Sequence, residues 1–311
     1  MDYSFRRDES SAEAARRIAR EQLERAIAEL GSTDDVDRAV HGVRKRLKKL
    51  RGLLRLLQGE LGREVFTREN HAYRDAGRLL AGPRRAAATV DAFDALMARF
   101  PDAAAGAAHE VLRGRLVAER DRLVAAMHGE SHAREVAASL GASLERLEAW
   151  PLRTEGWGML ERGFQKSYAR GRRAMQRAQA EPTTEHFHEW RKFAKHYWYH
   201  VRLLERLWPQ PMKALAKTLE ELTEDLGAEH DLDDLRLALL EHAPSDELRD
   251  PTARVLALIQ ERREELRQSA LARGHHVYAE RPGAAARRMA AYHAAWLGEP
   301  AGDEGDGGSD D

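Results

Sequence analysis

Five side chains, His41, Arg44, Lys48, Arg51 and Arg55, follow one another at spacings of 3, 4, 3 and 4. On a helix, residues three and four apart share a face, with Cβ atoms about 5–6 Å apart. The pattern therefore stands cationic or protonatable groups in line over about four turns. Such a row suits one kind of chemistry, the holding of an extended anion. Guanidinium forks grip carboxylate or phosphate oxygens in pairs, and ammonium groups add compact point charges. Arg46 and Lys49 add charge on its flank, and no acidic residue lies between His41 and Arg55 to neutralise it.

The same row is written a second time 147 residues later. That offset carries His41, Arg44, Lys45, Lys48 and Arg55 onto His188, Arg191, Lys192, Lys195 and Arg202, with Trp198 in the place of Arg51. The apolar positions follow the same offset. Val40, Val43, Leu47, Leu50, Leu54 and Leu57 map onto Phe187, Trp190, Ala194, Tyr197, Val201 and Leu204. Their spacing is that of a helix face turned toward a core. Any amphipathic helix shows such a period, and a single charge run is usually a solvated face. Matching polar identities at one register point instead to an internal duplication that keeps a site. Arg162, Lys166, Arg170, Arg173 and Arg177 form a third basic stripe, spaced 4, 4, 3 and 4.

The elements that position these rows read as helices throughout. The chain has 311 residues, 42% hydrophobic and 33% charged, and a net charge of −1. Ala, Leu, Glu and Arg, all strong helix formers, dominate it. No β-rich alternation marks a strand, so the expected class is all-α. Helices are expected over about 10–30, 35–58, 62–81, 86–99 and 104–127, then 132–148, 155–179, 184–207, 211–226, 230–242, 246–273 and 283–297. Ser32-Thr33 and Thr183-Thr184 precede acids as helix N-caps do. Gly82-Pro83 and Gly227 read as stops. Short connections between long amphipathic helices imply two antiparallel bundles facing each other. Twin basic helices at their junction would put both rows in one cleft.

Composition narrows the partners. The near-neutral total hides segregation: residues 219–235 are acidic without a Lys or Arg, and the Gly-rich tail, residues 298–311, is acidic and expected to be disordered. A basic surface on such a chain points to a localised anion site. No run of 18 apolar residues predicts a membrane span, and MDYSFRRDES lacks a signal-peptide core. The absence of cysteine excludes disulfides and thiolate metal sites and suits a reducing, cytoplasmic setting. His128 and His132 lie four apart with no third ligand in sight, so no metal and no cofactor is expected. No nucleophile with an evident base, P-loop or zinc signature appears, which favours a binding protein over an enzyme.

Four segments carry a family resemblance: HGVRKRLKKLR (His41–Arg51), HEWRKFAKHYWY (His188–Tyr199), LGAEHDLDDL (Leu226–Leu235) and GHHVYAERP (Gly274–Pro282). Together they resemble the CHAD family, the conserved histidine α-helical domain, over about residues 10–297. The resemblance implies two four-helix-type bundles, about 10–130 and 150–297, related by a pseudo-two-fold repeat with a basic channel between them. It implies inorganic polyphosphate as ligand and, for some members, storage granules as location. The expected binding residues are His41, Arg44, Lys45, Lys48, Lys49, Arg51, Arg55, Lys166, Arg170, Arg173, His188, Arg191, Lys192, Lys195 and Arg202. Histidines beside such an anion would gain a proton as pH falls, strengthening binding. The chain departs from the family in one motif: Arg-Asp usually follows the Leu-Gly turn, whereas Arg85-Ala86 and His230-Asp231 stand here. The Glu-x-Glu-x-Lys signature of a fused triphosphatase is absent. Two other readings stay open: nucleic-acid binding through the same rows, and an accessory subunit of a polyphosphate-processing enzyme. Aromatics at 6% and the lack of a nucleic-acid motif weigh against the first.

Overall fold

The computed structural model describes residues 3–31, 36–80, 82–104, 107–126, 130–241 and 248–298. Eleven α-helices fill them, with no strand among the described residues. They are Ser11–Leu30 (α1), Val36–Leu56 (α2), Gln58–Leu79 (α3), Gly82–Arg99 (α4), Ala107–Ala126 (α5) and Glu130–Glu145 (α6). Trp157–Ala180 (α7), Thr184–Leu203 (α8), Pro209–Glu241 (α9), Arg249–Val277 (α10) and Pro282–Gly298 (α11) follow. None of the described helices is long and apolar enough to cross a membrane. The Ser32-Thr33 start, His128 and the acidic tail beyond Gly298 lie outside the described residues.

Local chemistry explains most boundaries. Thr183 caps α8, its hydroxyl accepting from the His186 amide at 3.2 Å. Ser10 and Glu13 close a reciprocal capping box at α1. The Gly82-Pro83 pair, expected as a stop, opens α4, where a proline in the first turn loses no hydrogen bond. One expectation fails outright. Gly227 ends nothing, and α9 runs through it for 33 residues. A glycine that stops a helix commonly adopts positive φ, and among the described residues only Gly62 and Gly156 have a positive φ. Inside a helix it costs only about 1 kcal/mol. The buried leucines on either side, Leu222 and Leu226 before it and Leu232 and Leu235 after, hold the helix together.

Packing fixes the basic rows. In sequence neighbours, α1 packs on α2 and α2 on α3, while α7 packs on α8 and α8 on α9. The two basic helices also touch each other. At that crossing a Cβ on Gly52 would fall 2.7 Å from Tyr199 Cβ, so only glycine lets α2 and α8 meet this closely. His200 Nε2 donates to the Gly52 carbonyl there at 3.0 Å. Gly163 brings α7 equally near: a Cβ would lie 1.8 Å from the Leu56 carbonyl oxygen. The larger core joins these helices around Trp150, Trp190, Tyr168 and Tyr197. A second core, with Phe93, Leu235 and Ile259 inside it, joins α4, α5 and α10 to the C-terminal part of α9.

The acidic segment of α9 is divided among arginines. Buried Glu229 accepts from Arg263 and Arg267 of α10, Asp233 lies 3.3 Å from Arg263, and Asp225 accepts from Arg273 at 2.9 Å. Asp234 takes a paired bond from Arg85 of α4, at 3.0 and 2.5 Å. The two residues at the departure from the family motif are therefore part of the fold: Arg85 through this pair, and His230 through a ring contact with His188 at 4.3 Å between centroids.

Candidate functional site

Where α2, α7 and α8 meet there is a cavity of about 710 Å³. Lys48, Arg51 and Arg55 reach it from α2, Arg170, Arg173 and Arg177 from α7, and Arg191, Lys192 and Lys195 from α8. Ala174, Phe193, His196 and Tyr199 complete the wall, and Glu189 is its one carboxylate. That carboxylate is already taken, accepting from Arg177 at 2.9 Å. Among the described residues, Arg55, Arg170, Arg173, Arg191, Lys192 and Lys195 form no ion pair. The cavity thus gathers more positive charge than its one carboxylate neutralises.

The groups feel this crowding. Burial first, then Arg51 and Arg170, push the Arg55 guanidinium down to about 10. Arg51 is lowered by burial and by Arg74 and Arg78, and Lys195 by burial and Arg191. Lys166 is lowered by burial, then by Arg170, Arg162 and Arg55. Each shift marks a cation that an incoming anion would relieve. His196 adds no charge. Its Nε2 accepts from Arg55 Nε at 3.0 Å, and burial followed by Arg55 holds the ring neutral, well below its ordinary range. His196 therefore orients Arg55 without cancelling it.

Eight of the expected residues share this wall: Lys48, Arg51, Arg55, Arg170, Arg173, Arg191, Lys192 and Lys195. The others lie elsewhere. Arg44 Nη1 donates to the Gly77 and Leu80 carbonyls at 2.7 and 3.2 Å, satisfying the C-terminal end of α3. His41, Lys45 and Lys166 are exposed beyond the lining, and Lys49 and Arg202 form a separate patch near Tyr3 and Trp198. His188 packs on His230, and burial, then His230 and the cations Lys192 and Arg191, push it down to about 4. The acid-strengthened binding expected of it would start from a neutral ring in the free protein. Phe193, His196 and Tyr199 were not anticipated, although His196 occupies the register of Lys49 in the second copy.

The histidines at the crossing make stability pH-dependent. His200 is buried and pushed down to about 3, from 6.5, by that burial. A folded value below the unfolded one means the unfolded chain binds the extra proton. The contribution of neutral His200 is complete above 6.5 and is lost as pH falls toward about 3. Between pH 7 and pH 5 the unfolding free energy should drop by about 2 kcal/mol through this residue. Urea unfolding at the two pH values checks this, and His200→Gln should reduce the slope by about that share, leaving the parts due to His188 and His196. A pH-independent wild type would contradict it.

No three His, Asp or Glu side chains gather among the described residues as a metal ion requires. No curated protein matches the chain at a significant level. A family model described as CHAD domain matches residues 11–240, a span that holds both basic rows, all of α7 and every residue of the cavity wall. The chain therefore belongs to the CHAD domain family.

Proposed function

We propose that the cavity binds inorganic polyphosphate and that the protein acts by binding, without catalysis. The observation that carries this reading is the excess of cations on the wall over a single, already paired carboxylate. A polyphosphate presents about one negative charge per phosphate, and arginines suit its oxygens in pairs. Association with polyphosphate granules in the cytoplasm would follow from such binding. The size argues against duplex nucleic acid: about 710 Å³ is the scale of a small-ligand site. A duplex would touch only the mouth.

On this reading the chain is a twin bundle with a pseudo-two-fold relation, and the cleft lies beside its axis. Gly52 and Tyr199 stand at the same register of the two copies and touch each other, as positions near a two-fold axis must. Arg44 donates to the Leu80 carbonyl, and Arg191 lies against Gly227, which holds the register of Leu80 in the second copy.

The test is binding of the purified full chain to long-chain polyphosphate at near-physiological salt, with tripolyphosphate, duplex DNA and single-stranded RNA as competitors. Tight binding displaced by phosphate chains and not by DNA or RNA is the expected result. Equal displacement by nucleic acid would replace this reading with a general polyanion face, and no binding would remove it.

A further inference from the structure

Lys49 of α2 is half-buried, and its surroundings leave the amine without a carboxylate partner. Its backbone carbonyl accepts from Tyr3 Oη at 2.8 Å, which lays the phenol along the lysine's own stem. The Nζ then stands 4.8 Å from the centre of that ring. Four cations act on it: Arg25 from α1, Lys45 and Arg46 from α2 itself, and Arg202 from α8. The Glu29 carboxylate of α1 is engaged by Arg46 at 3.0 Å. Among the described residues Lys49 forms no ion pair.

The register places a nitrogen base beside an arginine in both rows. The 147-residue offset pairs Lys49 with His196 and Arg202 with Arg55. His196 is held neutral and accepts from Arg55. Burial, then Arg202, Lys45, Arg46 and Arg25, push Lys49 down to about 8 from 10.5. About a quarter of it is therefore free amine at pH 7.5, against about one part in a thousand for an ordinary lysine. A free amine is a nucleophile, and lysines desolvated beside other cations are activated in this way. The cations that drive off the proton also draw in anions. The electrophile that fits this corner is therefore compact and negatively charged.

We propose that Lys49 is a site of acylation by acyl phosphates, with Arg202 holding the phosphate group of the reagent. The Lys49 lone pair attacks the acyl carbon. The bond from that carbon to the bridging oxygen breaks, and phosphate leaves with the bonding electrons and one proton of the amine. An amine and an acyl phosphate thus become an amide and inorganic phosphate, and no further reagent is consumed. A guanidinium grips phosphate oxygens in pairs and stabilises the leaving group as its charge grows. Other lysines lack part of this arrangement. The downward shift of Lys195 is opposed by Glu224 and Glu220, and Lys213 and Lys217 of α9 are exposed. The inference stands apart from the polyphosphate reading, because it concerns the reactivity of one amine.

Acetyl phosphate tests this on the purified full chain at pH 7.5, with the reaction stopped at low conversion and each lysine mapped by peptide mass spectrometry. Lys49 should react roughly tenfold or more faster than the exposed Lys213 and Lys217, its larger share of free amine exceeding the fall in nucleophilicity that goes with a lower pKa. Its rate should level off above about pH 8, whereas theirs keep rising toward about pH 10. Arg202→Gln should slow transfer from acetyl phosphate at Lys49 about tenfold more than transfer from N-acetoxysuccinimide, an uncharged donor of the same acetyl group, as one charged contact implies. A Lys49 rate no greater than that of Lys213 and Lys217, or one still climbing with theirs above about pH 8, would overturn the site. Equal slowing of the two reagents in the variant would overturn the role of Arg202 and, with it, the choice of acyl phosphates.

Discussion

Glu229→Ala is expected to cost about 3–5 kcal/mol of folding stability, the range for removing one partner of a buried ion pair. Glu229 is 1% exposed, and Arg263 and Arg267 are 4% and 8% exposed. One oxygen, Glu229 Oε1, accepts from Arg263 Nε and Nη2 at 3.1 and 2.8 Å and from Arg267 Nε and Nη2 at 3.0 and 2.7 Å. The arginines go on to bind Thr184 Oγ1 at 2.6 Å and the Pro182 carbonyl at 2.9 Å, so the network ties the entrance of α8 to α9 and α10. Without the glutamate, two guanidinium groups stay buried with Asp233, 3.3 Å from Arg263, as the remaining carboxylate. Glu229→Gln should fare little better, since a neutral amide oxygen replaces the charge facing two cations. With total stabilities of about 5–15 kcal/mol usual for a domain, either variant should shift urea unfolding sharply. A loss below about 1 kcal/mol would show that water or Asp233 compensates, against the expected cost of an unpaired buried charge.

That network was invisible in the amino-acid pattern, and the reason is general. Arg263 and Arg267 lie 34 and 38 residues from Glu229, and local periodicity carries no information about which distant helix face arrives opposite a carboxylate. Composition showed only that residues 219–235 are acidic without a Lys or Arg, not which groups meet them. The twin helices were legible because an offset in register compares polar identities, which packing alone does not dictate. Helix starts with a side-chain cap were legible too, as at Thr183. The end of a helix was less so. Gly227 has the composition of a stop, but backbone φ decides, and φ is set by what packs on either side.

The cavity was half legible for the same reason. The row on α2 contains Lys48, Arg51 and Arg55, all on the wall, and Arg44, which is not. Nothing within α2 distinguishes them. Arg44 is drawn to the carbonyl end of α3, whose position depends on how α3 folds back. Phe193, His196 and Tyr199 reach the cavity because α2 and α8 cross at Gly52, and the crossing belongs to neither helix alone.

Arg170→Glu should weaken polyphosphate binding by about a hundredfold or more while leaving the free protein as stable as before or slightly more so. Arg170 of α7 packs 5.9 Å from the Phe193 ring centre and forms no ion pair among the described residues. Its charge lowers both Arg55 and Lys166, so the unliganded protein holds it against repulsion. A glutamate there meets those cations as a partner, and partly exposed pairs of this kind contribute about 0–1 kcal/mol. To the ligand the same change removes a charged contact of about 1.5–3 kcal/mol and adds repulsion, and each 1.4 kcal/mol is tenfold in affinity. The two effects have opposite signs, which a packing role cannot produce. Calorimetric binding and a thermal melt on the same sample measure both. Unchanged affinity would return the α7 row to solvated helix surface. A lower melting midpoint together with lost binding would make Arg170 a packing residue whose effect on the ligand is indirect.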